Sequence, residues 1–206
     1  MKKTISILTI LLLCSCAQRN YKTIDFGQFK ITVPKKWNKY ESKGIDSYVG
    51  GIITNTNDTL NFDFGRYSND LSKSDYPMVY DSIGLNELTK KERELLPKTK
   101  YLIVEDLLYA DVDFNEYLQY QFKIDSVDCF KAKIITPRDR SYGGTGIYID
   151  SLTGSKEKYN KIGISFYGWY LTEKTQAEFI KALKTLRFEK YCGQHRLTAN
   201  SGHFSK

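Results

Sequence analysis

Histidine is almost missing from this chain: there are two in 206 residues, His195 and His203, both near the C-terminus. A Ser-His-Asp triad or a Cys-His dyad needs its base held rigidly beside the nucleophile, and a polar tail is a poor place for that. Cysteine is limited to four residues and glycine to 14, so the chain is neither a small disulfide-stapled scaffold nor a collagen-like repeat. Only one long apolar run exists, at the extreme N-terminus, which excludes a multi-span membrane protein. Although 31 Lys+Arg outnumber 24 Asp+Glu, no block of five or more basic residues occurs, and Lys35-Lys36 and Lys90-Lys91 are only pairs. Evenly spread lysines describe a solvated surface rather than a nucleic-acid stripe, so no nucleic-acid partner is expected. What is present, 41% hydrophobic and 27% charged residues, suits one domain with a sizeable core.

The first residues read MKKTISILTILLLCSC, with Lys2 and Lys3 ahead of an apolar stretch from Ile5 to Leu13. That stretch is too short to cross a hydrocarbon core of ~30 Å, but it fits the apolar region of a secretory signal. Leu13-Cys14-Ser15-Cys16 then resembles the lipobox of bacterial lipoproteins, with Cys16 fitting better than Cys14 because a small residue precedes it. The resemblance implies that residues 1–15 are removed, that Cys16 carries the lipid, and that 16–22 form a lipidated tether. Two or more acyl chains hold a protein durably at a bilayer. Ala17 rather than Asp after Cys16 points, by the same resemblance, to the outer membrane, and the lack of an acidic cluster points to its periplasmic face. Removing residues 1–15 takes away two lysines and no acid, lowering the formal charge from +7 to +5.

Two cysteines then remain, Cys129 and Cys192, in a compartment where disulfides persist. They are a candidate disulfide, although Cys192 falls just outside the last regular element.

Period-two alternation marks Phe29 to Val33 as a strand ended by Pro34, with Trp37 close behind. Tyr48–Thr54 and Leu60–Phe64 read as a hairpin around the turn residues Asn55 to Asp58. The pattern fades from about 66 to 100, where Asn86–Leu96 suggests a short charged helix. Alternation returns at Tyr101–Val104. Leu118, Tyr120, Phe122 and Ile124 then share one face, as do Phe130, Ala132 and Ile134. Gly146–Ile149 and Ile162–Phe166 look like another hairpin. Ala177, Ile180, Leu183 and Leu186, widened by Phe179 and Ala182, predict an amphipathic helix over 173–187 with Thr172 as N-cap. Residues 23–190 thus read as one α+β domain, an antiparallel sheet of about six or seven strands covered by a C-terminal helix. Residues 191–206 read as a polar tail.

Two segments, Phe29 to Trp37 (F-x-I-T-V-P-x-x-W) and Ile164 to Phe188, resemble the opening and closing parts of PsbP-like domains. That resemblance implies an α/β/α sandwich, and a family whose members mostly serve as non-enzymatic accessory or binding proteins. No residue of catalytic importance comes with it.

Other motifs fail on their own terms. Cys192-x-x-His195 with His203 is a weak metal pattern. Asp111-Val112-Asp113-Phe114-Asn115 opens like an EF-hand loop, but Glu116 stands where the turn needs Gly and Phe122 where a bidentate acid belongs. Tyr142–Gly146 lacks the Lys-Ser/Thr ending of a phosphate loop. No cofactor or metal is therefore expected. Asp63 and Glu105 are carboxylates that could perform acid–base work on a sugar if they faced each other. Tyr167, Trp169 and Tyr170 are a candidate ligand platform, or equally half-buried sheet positions. Four triplets read Asp, then Ser/Thr, then an aliphatic, at Thr59, Ser82, Ser126 and Ser151. They resemble the acceptor motif of a bacterial O-glycosylation system, and they also follow ordinary turn-to-strand grammar. The expected protein is a lipid-anchored envelope accessory or binding protein without catalytic activity, its partner an envelope protein or glycan. The alternatives are a carboxylate-based hydrolase of envelope glycan and an immunity or inhibitor lipoprotein.

Overall fold

The computed structural model describes residues 20–73, 79–95, 102–103, 118–138, 143–155 and 159–193. The leader, Cys16, Glu105, the Asp111–Asn115 run, Tyr142 and both histidines lie outside the described residues. Strands β1 (Tyr21–Asp25) and β2 (Lys30–Pro34) form an antiparallel hairpin. A separate seven-stranded antiparallel sheet comprises β3 (Asn38–Glu41), β4 (Tyr48–Ile53), β5 (Thr59–Gly65), β8 (Tyr120–Val127), β9 (Phe130–Pro137), β10 (Gly144–Thr153) and β11 (Ile162–Trp169). Its spatial order is β3-β4-β5-β11-β10-β9-β8. Between β5 and β8 the chain makes a short 3-10 turn at Leu71–Lys73 and two helices, α1 (Ser82–Glu87) and α2 (Lys90–Leu95). Two-residue strands β6 (Val79–Tyr80) and β7 (Leu102–Ile103) flank the helices and pair in parallel. Helix α3 (Glu173–Leu183) follows β11. The fold class is α+β.

One face of the sheet is the core. Side-chain alternation points Phe62 and Phe64 of β5, Ile164 and Phe166 of β11, Ile147 and Ile149 of β10, and Ala132 and Ile134 of β9 to the same side, where all are buried. The β1–β2 hairpin and α3 cover that side together. Phe29, between β1 and β2, sits at the centre, with ring centroids 5.0 Å from Phe26 and Phe62 and about 6 Å from Phe64, Phe166 and Phe188. Aromatic pairs at such distances add to the area they bury. Trp37 is fully buried, its indole N–H donating to Asn55 Oδ1 at 3.1 Å.

Several expectations shift. Helix α3 begins where predicted, Thr172 Oγ1 accepting from the Thr175 amide at 3.3 Å. Its buried face, however, runs through Thr175, Gln176, Phe179, Ala182 and Leu183, leaving Ala177 exposed and Ile180 half-buried. Phe179 carries the largest apolar surface and takes the centre. Gln176 tolerates burial because its amide donates to Thr145 Oγ1 at 2.7 Å. The helix stops at Leu183 rather than 187, since the Thr185 hydroxyl donates to Ala182 O at 2.6 Å and Thr185 Oγ1 accepts the Thr32 amide at 2.8 Å. The single helix expected at 86–96 is two: Asp81 caps α1 through the Gly84 amide, and Thr89 with Glu92 makes a capping box that starts α2.

Both ends of the domain reach further than predicted. β1 begins at Tyr21, inside the expected tether, and Asn20 O accepts the Lys35 amide at 2.8 Å. Residues 189–193 add a helical turn, so Tyr191 and Cys192 are buried in the core rather than lying in a tail. Cys192 is joined to Cys129 by a disulfide with Cα atoms 5.8 Å apart. Phe122 and Ile124, expected on a buried face, are 54% and 45% exposed, because β8 is the edge strand and its outer neighbours are solvent.

Candidate functional site

The second face of the sheet mixes polar and aromatic side chains with a few aliphatics, Ile135 and Ile124 among them. Moving across it from β3, the alternation presents Tyr40, then Asn61 and Asp63 of β5, Ser165, Tyr167 and Trp169 of β11, Tyr148 and Asp150 of β10, and Lys133 of β9. Small residues make room for the rings. A Cβ on Gly51 would run into the Leu60 carbonyl and the Tyr40 ring, and one on Gly146 into the Phe166 carbonyl and Tyr167. The Tyr40 ring therefore passes over Gly51 of β4 to reach Asn61 of β5.

At one end of this face is the aromatic platform. Tyr167 and Trp169 meet edge to face with centroids 6.1 Å apart, and Trp169 and Tyr170 lie 6.2 Å apart. Trp169 is 41% and Tyr170 60% exposed, whereas Tyr167 is half-buried. Tyr170 extends the platform by adopting a left-handed backbone (φ 53°), held by its amide donating to Gly143 O at 2.9 Å. Next to the platform the Tyr40 hydroxyl donates to Asn61 Oδ1. Burial, with a smaller push from Tyr167, raises the Tyr40 phenol above its ordinary range. The three predicted platform residues are thus brought together.

The centre is less well satisfied. Asp63 and Ser165 are cross-strand partners, and Asp63 Oδ1 and Ser165 Oγ are both buried without a hydrogen-bond partner. Burial pushes the Asp63 carboxyl up; the Ser47 hydroxyl pulls it partly back, and Asp46 adds to the rise. Neighbouring groups are fully engaged. Asp150 accepts from the Tyr148 hydroxyl at 2.6 Å and from Lys161 at 2.7 Å. Lys161 first, then Tyr148, holds Asp150 below the usual carboxylate range, while burial and Asp150 drive the Tyr148 phenol far up. On β9 the Lys133 ammonium reaches Asp70 at 2.6 Å and Ser72 Oγ at 2.8 Å, with Phe122 4.6 Å beneath it. That contact pins the 3-10 turn, whose Leu71 packs on Tyr120, Ile135 and Tyr148. At the end opposite the platform, Arg66, Tyr67, Tyr159 and Lys161 line an open cavity of about 250 Å³.

No protein-family model and no curated protein matches the chain. The site's chemistry therefore rests on its own atoms. Among the described residues no group of three or more His, Cys, Asp and Glu is placed to hold a metal, and no helix is long and apolar enough to cross a membrane. With Asp63 Oδ1 and Ser165 Oγ buried, the arrangement offers the flat rings of Trp169 and Tyr170, with Tyr167 half-buried beside them, on one rigid sheet face. Those are the groups that recognise a polyhydroxylated ring or a peptide edge. Asp63 was legible only as a carboxylate of unknown surroundings, and its envisaged partner Glu105 lies outside the described residues. Ser165 carried no signal at all. The in-register pairing of β5 with β11 brings Ser165 into the site.

The four Asp-Ser/Thr-aliphatic positions are dispersed. Thr59, Ser82, Ser126 and Ser151 are all exposed. Each preceding Asp is already engaged in holding the fold. Asp58 accepts from Thr54 and Thr56, Asp81 caps α1, Asp125 pairs with Lys184, and Asp150 holds Lys161.

Proposed function

We propose that the chain is a lipid-anchored accessory or binding protein of the cell envelope, facing the periplasm, with the second sheet face as its contact surface. The observation that carries this reading is the exposed Trp169–Tyr170 pair, backed by half-buried Tyr167, at one end of that face. A hydroxyl-rich ligand, such as an envelope glycan, would stack its ring on Trp169 and Tyr170. The seven-stranded antiparallel sheet with α3 on one face supports one helical layer of a PsbP-like sandwich, a fold whose members suit an accessory role. The leader sequence supports the address.

Tryptophan fluorescence tests the binding reading directly, because Trp37 is buried and Trp169 is exposed. Muropeptides or lipopolysaccharide core sugars are expected to shift Trp169 emission and to protect it from acrylamide, and Trp169→Phe to abolish the change. Unchanged emission across an envelope-glycan panel, together with no protein co-purifying from solubilised envelope, would sink the proposal. A single stoichiometric protein partner would favour the inhibitor alternative. For the address, Cys16→Ser is expected to leave the membrane fraction.

The hydrolase alternative has one observation in its favour. Asp63 is raised and Asp150 lowered, the opposed pair that acid–base chemistry uses. The two residues are two strands apart, about 10 Å across the sheet before any offset along it, and Lys161 and Tyr148 already occupy Asp150. Loss of glycan-cleaving activity in Asp63→Asn would support that alternative.

A further inference from the structure

The two edges of the sheet are built differently. Edge strand β3 is four residues, Asn38-Lys39-Tyr40-Glu41, short and polar in the way that blunts an edge. Edge strand β8 is eight residues long and shows Phe122 and Ile124 to solvent. Its phase is set by the two-residue turn at 128–129, where Val127 pairs with Phe130 and Asp128 takes φ 56°. Val127, Asp125 and Lys123 therefore direct their backbone groups at β9, and Ser126, Ile124 and Phe122 direct theirs outward.

We infer that β8 pairs antiparallel with β8 of a second copy of this chain, about a two-fold axis through Ile124. The charges select that register. Centred on Ile124, Lys123 of one copy lies opposite Asp125 of the other, twice, in the close non-hydrogen-bonded positions. Centring on Lys123 or on Asp125 would instead oppose like charges, which is destabilising. In the chosen register Ile124 meets Ile124, and Phe122 lies opposite Ser126 on the second sheet face. Ser126 now donates its outward amide to its neighbour Asp125 Oδ1 at 2.9 Å. In the dimer that amide passes to Phe122 of the second copy as Asp125 turns toward Lys123. Asp125 also faces Lys184 at 3.3 Å, so each carboxylate would bridge two cations. The result is one continuous sheet of fourteen strands, twice the seven of a single copy.

Sedimentation of the full chain in density-matched detergent is expected to show a dimer. Lys123→Glu and Asp125→Lys should each weaken it at least tenfold, and an equimolar mixture of the two variants should regain the parent affinity, because one variant's reversed charge faces the other's. Ile124→Cys, which sits on the axis with Cα atoms about 5.5 Å apart, is expected to oxidise to a covalent dimer. Phe122→Cys, opposite Ser126, is expected not to cross-link with itself. A chain monomeric at every concentration would overturn the inference and leave the edge to another protein. So would a dimer indifferent to Lys123→Glu, or equal cross-linking through Phe122→Cys.

Discussion

Asp63 illustrates how much a single side chain depends on neighbours that its own sequence context hides. Its folded-state value lies above the unfolded one, so folding takes up a proton as the pH falls. The ionised carboxylate therefore costs stability at neutral pH, and the cost disappears below the unfolded value of about 4. Asp63→Asn is expected to stabilise the protein at pH 7, with the difference gone at pH 3. Urea midpoints at the two pH values check this. A destabilised variant at pH 7 would mean that Asp63 is already paired. Residue identity alone marked the platform, because Tyr167 and Trp169 alternate on one strand and Tyr170 follows directly. It could not mark Ser165, whose significance comes from a strand distant in sequence.

The amphipathic period foretold α3 as an element but misplaced its buried stripe by part of a turn. Counting apolar residues assigned Ile180 and Ala177 to the core, whereas a satisfied Gln176 takes that place. Truncation separates the two versions. Phe179→Ala is expected to cost about 3–5 kcal/mol, and Ile180→Ala well under half of that, both read from denaturant unfolding. β1 and β3 escaped notice for a related reason: β1 buries only Ile24 and β3 buries nothing, so neither has a period to detect. The hairpins β4–β5 and β10–β11 were readable because they carry apolar or alternating runs separated by turn residues.

The Cys129–Cys192 bridge ties a hairpin tip to the last helical turn across 63 residues. Asp128 Oδ2, beside it, accepts the Phe188 amide at 2.7 Å. The turn and the C-terminal segment therefore lock as one unit. Reduction is expected to lower stability by about 4 kcal/mol in the chain-entropy account, visible as an earlier guanidinium midpoint with dithiothreitol. An unchanged midpoint would show that the hydrogen bond and the surrounding aromatic packing suffice.

For the molecule as a whole, the sheet divides its labour by face. One side is sealed by aromatic rings, the β1–β2 hairpin and α3, and supplies stability. The other keeps carboxylates, hydroxyls and rings close to the surface. Global pattern reading recovered this α+β layout because most of the sheet strands carry a recognisable apolar run or alternation. The purpose of the second face is not recorded that way, since polar positions look alike whether they meet water or a ligand.

The hydrogen bond from the Lys35 amide to Asn20 O anchors the chain to the domain four residues beyond Cys16. Four fully extended residues reach only about 14 Å. With lipid on Cys16, as proposed, the domain would not roam the periplasmic space; it would stand almost on the headgroups. The exposed side chains of Lys35 and Lys36 and the nearby Lys22 would then face phosphate, and the β1–β2 end would be its foot. Anything it recognises must come down to that height.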